Sequence, residues 1–234
     1  MSSGKKILAI IPARGGSKRL LNKNILLLNN KPLIAWTIEA ATSSEYITDV
    51  VVSTDCQDIA NSARQYGATV PFMRPAELST DTSTSNSVLL HALEYLGAHN
   101  YDIVVSLQPT SPLRTSQDID SAIELLNSRN AQGVVSVCPC EHSPLWCNLL
   151  PDNLSMGDFL PKKHLTSRSQ DLPAYFRLNG AIYAFRTDEI LKNSGITYTE
   201  HTLAYVMPSE RSIDIDTKLD FKISEFILKD NEKI

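Results

Sequence analysis

Apolar positions along the chain follow two periods in alternation. Short, continuous, β-branched runs predict strands buried on both faces at 6–12, 47–53, 69–72, 102–107, 133–137 and 179–185. Between them the spacing turns helical, predicting helices at 32–43, 56–66, 86–97, 117–129, 187–193 and 217–229. Local chemistry supports the boundaries. Pro32 sits in a first helical turn, Gly67 follows a helix end, and Thr115 with Asp118 resembles a capping box. The tract Ser79–Asn86 is rich in residues that cap helices. Leu219, Ile223, Phe226 and Ile227 form an apolar stripe on the last helix, and 203–207 and 212–216 read as extended. Strands alternating with helices across short links imply an α/β fold of three layers, α/β/α, around a mostly parallel sheet.

The rhythm fails at 139–176, where prolines stand at 139, 144, 151, 161 and 173. A stretch this long without regular structure is rarely a plain loop. It reads as an insertion forming a lid or a subunit interface within a single domain spanning 1–234.

Composition narrows the partners. The net charge of −4 disfavours nucleic acid. No apolar run is long enough to span a membrane. The first run is short and is followed at once by Arg14, so a signal peptide is not expected and the protein is read as cytoplasmic. Cys56, Cys138, Cys140 and Cys147 match no common zinc spacing and are read as free thiols.

Against that acidic background, the end of the first strand is strongly basic. Pro12-Ala13-Arg14-Gly15-Gly16-Ser17-Lys18-Arg19, continuing to Lys23-Asn24, carries four cations, and no acidic residue precedes Glu39. A glycine turn after a buried strand brings backbone N–H groups to an anion, and Arg and Lys neutralise it. The pattern is neither Gly-x-x-x-x-Gly-Lys-Ser/Thr nor Gly-x-Gly-x-x-Gly. In Ile213-Asp214-Ile215-Asp216 strict alternation would put both carboxylates on one face of a strand, where Mg²⁺ could relieve their repulsion. Gln108-Pro109-Thr110-Ser111-Pro112-Leu113-Arg114 falls at the mouth of the same cleft. Arg74, held extended by Pro75, could reach a base or solvent, and the Asp81–Asn86 tract reads as a helix cap. Arg168 and Arg177 could close over a carboxylate or pyrophosphate or simply be solvated, and Tyr183 is read as core. No histidine falls in a nucleophile–base arrangement, which favours direct displacement at phosphorus.

Taken together these motifs resemble the acylneuraminate cytidylyltransferases over nearly the whole chain. Val51-Val52-Ser53-Thr54-Asp55, Arg74-Pro75-Ala76-Glu77-Leu78, Asn179-Gly180-Ala181-Ile182-Tyr183 and Glu210–Asp216 complete the match. The resemblance implies a Rossmann-like nucleotide-binding fold and transfer of CMP from CTP to a nine-carbon 2-keto sugar acid of the nonulosonic (sialic) type, releasing pyrophosphate. It implies that Arg14, Lys18 and Lys23 hold the triphosphate, with Ser17 also facing the nucleotide, and that Asn24, Arg74 and Ser85 contact the cytidine. Gln108, Asn179 and Tyr183 would face the sugar, Arg168 and Arg177 would bind anionic groups, and Asp214 with Asp216 would hold Mg²⁺. Arg14, Lys18, Lys23 and Asp216 are then the catalytic set. The proton acceptor is Asp216 or a hydroxide on the metal. The resemblance further implies a homodimer whose inserted segment completes the neighbour's site. Arg19 departs from the glycine that many members carry, which bears on the acceptor. Legionaminic, pseudaminic and 3-deoxy-manno-octulosonic acids are the rival acceptors, and a non-catalytic nucleotide-binding protein is the rival class.

Overall fold

The first apolar run forms β1 (Ile7–Pro12), buried on both faces as an interior strand of a six-stranded sheet. The structure, a computed structural model, describes residues 4–231. The other strands of the sheet are β4 (Asp49–Ser53), β5 (Ile103–Ser106), β6 (Gly133–Pro139), β7 (Phe176–Arg186) and β8 (Thr202–Val206). Their order is β4-β1-β5-β7-β6-β8. Only β7 runs against its neighbours. The sheet is therefore mostly parallel, as the alternating pattern predicts.

Helices cover both faces because alternate residues of each strand point to opposite sides. Ile7, Ala9 and Ile11 pack under α1 (Leu33–Thr42), α2 (Gln57–Gln65) and α4 (Ser116–Ser128). Leu8 and Ile10 pack under α3 (Ser85–Leu96) and α5 (Thr187–Lys192). The capping box on α4 is present, with Thr115 and Asp118 each satisfying the other's backbone N–H. A third cluster forms where α6 (Lys218–Asn231) meets a short hairpin of β2 (Leu27–Leu28) and β3 (Lys31–Pro32). It joins Leu20, at the end of the basic loop, to Ile215, between the two aspartates.

Three expectations change. Residues 69–72 form no strand: Thr69 and Met73 make isolated bridges to the β4 side, and Pro71, without an N–H, interrupts the ladder. Residues 212–216 form no strand, because backbone groups of Ile215 and Asp216 are engaged elsewhere. The Ile215 N–H donates to the Thr110 carbonyl (2.8 Å), Lys23 takes the Ile215 carbonyl (2.7 Å), and the Asp216 N–H donates to the Asp220 carboxylate (3.0 Å). On α6 the exposed face carries Leu219, Ile223 and Phe226, while Phe221 and Leu228 pack inward.

The 139–176 stretch contains three single 3₁₀ turns and no strand or α-helix between Cys140 and Tyr175. Its ends are zipped together. Cys138 pairs with Arg177, Pro139 pairs with Phe176, and the Cys140 N–H donates to the Tyr175 carbonyl (2.8 Å). Leu149 is 90% exposed, and Leu150, Leu154, Met156 and Leu165 also face solvent. The stretch is an arm rooted on β6 and β7. All four cysteines are free.

Candidate active site

β1 stands where the strand order reverses, between β4 and β5, and open α/β sheets leave a crevice above such a point. A cavity of about 490 Å³ lies there. Its lining includes Arg14, Ser17, Lys18, Lys23 and Asn24 from the loop after β1, together with Arg19. Arg74, Ser85, Gln108 and Asp216 complete the predicted residues found on its walls.

The loop is shaped by close approach. The Gly15 N–H donates to Asp55 Oδ1 (2.8 Å), and a Cβ on Gly15 would lie 2.9 Å from that of Cys56. Asn24, nearly buried, donates its amide to the Arg14 carbonyl (3.0 Å) and stiffens the turn. Arg74 is 6% exposed, and its guanidinium donates to the hydroxyl and carbonyl of Ser53. Burial lowers its pKa, with Asp55 opposing. Ser85 opens α3 but does not cap it. Thr84 is the cap, accepting from the Ser87 N–H (3.1 Å), so Ser85 faces the cavity without that duty.

The cations of the loop are paired in two sets. Lys23 is nearly buried and reaches Asp216 Oδ1 (3.1 Å), while Arg19 reaches Asp216 Oδ2 (2.6 Å). Arg14 reaches Asp81 Oδ1 (3.0 Å) and the Thr80 carbonyl (3.2 Å), and Lys18 pairs with Asp81 Oδ2. Lys18 and Arg14 hold the Asp81 carboxyl below the usual carboxylate range. Asp81 was not anticipated as part of the cleft, since its neighbours carry a capping signal that hides it. Asp214 is exposed at the residue level, yet desolvation of its carboxyl raises its pKa and Asp216 adds to the rise, with a Thr110 hydrogen bond and Lys23 opposing.

The loop after β5 forms the next wall. The Gln108 carbonyl accepts from Arg114 (3.3 Å), and the same guanidinium donates to the Ala181 carbonyl on β7 (2.9 Å). Arg114 is buried, and desolvation lowers its pKa to about 9. The Gln108 amide lies against Gly180, whose φ is +74° and whose added Cβ would sit 2.9 Å from Gln108 Oε1. Behind this wall Asp118, 1% exposed, takes both arms of Arg211 (2.8 and 2.9 Å) and the Tyr205 hydroxyl (3.1 Å). That pair ties the start of α4 to the segment leading to Asp214 and Asp216.

Five predicted residues, Asn179, Tyr183, Arg168, Arg177 and Asp214, are not brought to the cavity walls. Asn179 is buried, with its oxygen accepting from Ser136 (2.6 Å) and its amide donating to Ser212 (3.0 Å) and the Met207 sulfur (3.2 Å). It braces the approach to Asp214. Tyr183 is half-buried on β7, where burial raises its pKa and Tyr198 and Asp214 add to the rise. Arg168 pairs with Asp171 (2.8 Å) in the arm, and Arg177 pairs with Glu141 (2.7 Å) at the arm's root. Asp214 itself adjoins the cavity through Thr110 and Asp216, both of which line it.

The cleft therefore gathers cations around a space suited to a polyanionic ligand, with two carboxylates at one rim. A cytidylyltransferase family model matches residues 8–220. The chain is 40% identical to a CMP-N,N'-diacetyllegionaminic acid synthase of Legionella pneumophila, over 97% of this chain and 98% of that one. It is 38% identical to an N-acylneuraminate cytidylyltransferase of Escherichia coli, over 94% of this chain and 51% of that one. In fold it is similar to the solved structure of CMP:2-keto-3-deoxy-manno-octonic acid synthetase complexed with CTP. That similarity has a TM-score of 0.73 at 17% identity and covers 97% and 99% of the two chains.

Proposed function

This chain belongs to the cytidylyltransferase family, and on that premise we propose that it transfers CMP from CTP to the anomeric hydroxyl of a nonulosonic acid. The supporting observation is that Arg14, Lys18 and Lys23 share one cavity with Arg74, Ser85, Gln108 and Asp216. The hydroxyl oxygen of the sugar attacks the α-phosphorus, the bond to the bridging oxygen breaks, and pyrophosphate leaves. Arg14, Lys18 and Lys23 neutralise the triphosphate and the charge that grows on the leaving group. Ser17, Asn24, Arg74 and Ser85 orient the nucleotide.

Asp214 and Asp216 suit Mg²⁺. They are hard oxygen donors close enough for Asp216 to disfavour ionisation of Asp214, a repulsion that a divalent ion would relieve. Among the described residues no group of three or more His, Cys, Asp or Glu side chains could hold a metal, so water and phosphate oxygens would fill its remaining positions. When bound, Mg²⁺ would withdraw charge from the phosphates. Asp216, which lines the cavity, is the candidate to accept the hydroxyl proton.

The acceptor belongs on the Gln108 and Tyr183 side of the cleft, with Asn179 bracing it. The exposed leucines of the arm support a homodimer in which the arm, with Arg168 and Arg177, reaches the neighbour's cleft. No helix among the described residues is long and apolar enough to cross a membrane. The protein is proposed to act in the cytoplasm.

Incubation with CTP, Mg²⁺ and each of N-acetylneuraminic, legionaminic, pseudaminic and 3-deoxy-manno-octulosonic acids tests the proposal by pyrophosphate release. A nine-carbon acid should give the highest kcat/KM. Release with none of the four would overturn the reading.

A further inference from the structure

Asp81 bridges two cations of the phosphate loop within the cleft. One carboxylate oxygen meets Arg14 (3.0 Å) and the other meets Lys18, much as two oxygens of one phosphate would. Arg14 and Asp81 lie 67 residues apart in sequence, and both line the cavity. Besides the bond Arg14 donates to the Thr80 carbonyl, the Asp81 turn has hydrogen bonds of its own. The Thr80 N–H donates to the Ser83 hydroxyl (3.1 Å), and that hydroxyl donates to the Glu77 carbonyl (3.0 Å). The cations can thus leave without unfolding the turn. The pairs are also solvent-reached, with side-chain exposures of 36% for Arg14, 77% for Lys18 and 47% for Asp81. Ion pairs this exposed are weak.

We propose that Asp81 is a built-in counter-ion that occupies the triphosphate's place between turnovers and is displaced when CTP enters. This rests on the reading that Arg14 and Lys18 hold the triphosphate. The carboxylate carries one charge where a triphosphate carries several, so a polyphosphate displaces it and a singly charged anion competes poorly. Once pyrophosphate loosens, Asp81 recaptures the cations and speeds its departure. Asp81 thereby contributes to selection of triphosphates and to product release, and touches no reacting atom.

Asp81→Asn keeps the shape and removes the charge. Binding of CTP and of inorganic pyrophosphate, measured by titration calorimetry without metal at fixed salt, should tighten roughly three- to tenfold, the competition that two weak ion pairs impose. In turnover assays pyrophosphate should become a stronger product inhibitor by a similar factor. Asp81→Ser should behave alike, and both variants should melt within a few degrees of the parent. Unchanged or weaker binding of CTP in both folded variants would overturn the proposal. Arg14→Ala and Lys18→Ala provide the separate control. If they leave CTP affinity intact, the triphosphate assignment is what has failed.

Discussion

Asp216 serves two partners that compete for it. Its oxygens anchor Arg19 and Lys23, while the proposed chemistry asks them to face a divalent ion. Asp216→Ala should therefore lower kcat by about 10²–10³ or more, with little change in melting temperature because the side chain is partly exposed. Stopped pyrophosphate assays and a thermal melt check this together. Wild-type turnover in the variant would remove Asp216 from the reaction. Which residues were legible follows from how local their signal is. Arg14, Lys18 and Lys23 stood out because a glycine turn and an absence of acids surround them in the sequence itself. The partners of Asn179 come from β6, Met207 and Ser212, so nothing near it in sequence marked its amide as already satisfied. Asp81 was hidden by Thr and Ser neighbours whose ordinary use is capping. Arg19, a departure from the resembled pattern, turns out to hold Asp216.

At the scale of elements, α4 carries a capping residue that also anchors the acidic segment. Burial alone would raise the Asp118 pKa, but hydrogen bonds from Arg211 and Thr115 outweigh it and hold the carboxyl below its usual value. A depressed carboxylate stabilises the fold above the unfolded pKa of about 3.9 and loses that contribution as pH falls through the folded value. Asp118→Asn leaves Arg211 without its charge partner and should cost about 2 kcal/mol or more at neutral pH, a drop of about 4–8 °C in melting temperature. The gap between variant and parent should narrow as pH falls below about 4. A gap independent of pH from 7 to 3 would show that the ion pair contributes nothing. Helices were read to within a residue or two because caps and period are local, as at Thr115 and Asp118. The 212–216 segment forms no strand, since side chains of Lys23 and Asp220 claim backbone groups that a ladder needs. On α6 both faces carry apolar residues, and spacing could not say which would meet Leu20 and Ile215.

Across the whole molecule, pairing direction was the part hardest to read. β7 is reversed because the arm returns the chain beside β6, and no residue within β7 encodes that return. The three-layer arrangement was legible, because continuous apolar strands demand cover on both faces. The proposed dimer makes a prediction at this scale. Leu149→Glu combined with Leu154→Glu puts charge on two residues that are 90% and 68% exposed, so the fold of the protomer should be untouched. Light scattering after size exclusion should show a dimer for the parent and a monomer for the variant, with kcat/KM for the sugar acid at least tenfold lower. A dimeric, fully active variant would place the contact elsewhere.

The zipped root of the arm has a consequence for how such proteins diversify. Because Cys138 and Arg177 are held as neighbours whatever lies between them, the intervening 38 positions can lengthen, shorten or change chemistry without asking the sheet to refold. Under the proposed dimer, exchanging the arm for a relative's should alter sugar preference while the nucleotide end built on β1 keeps its chemistry.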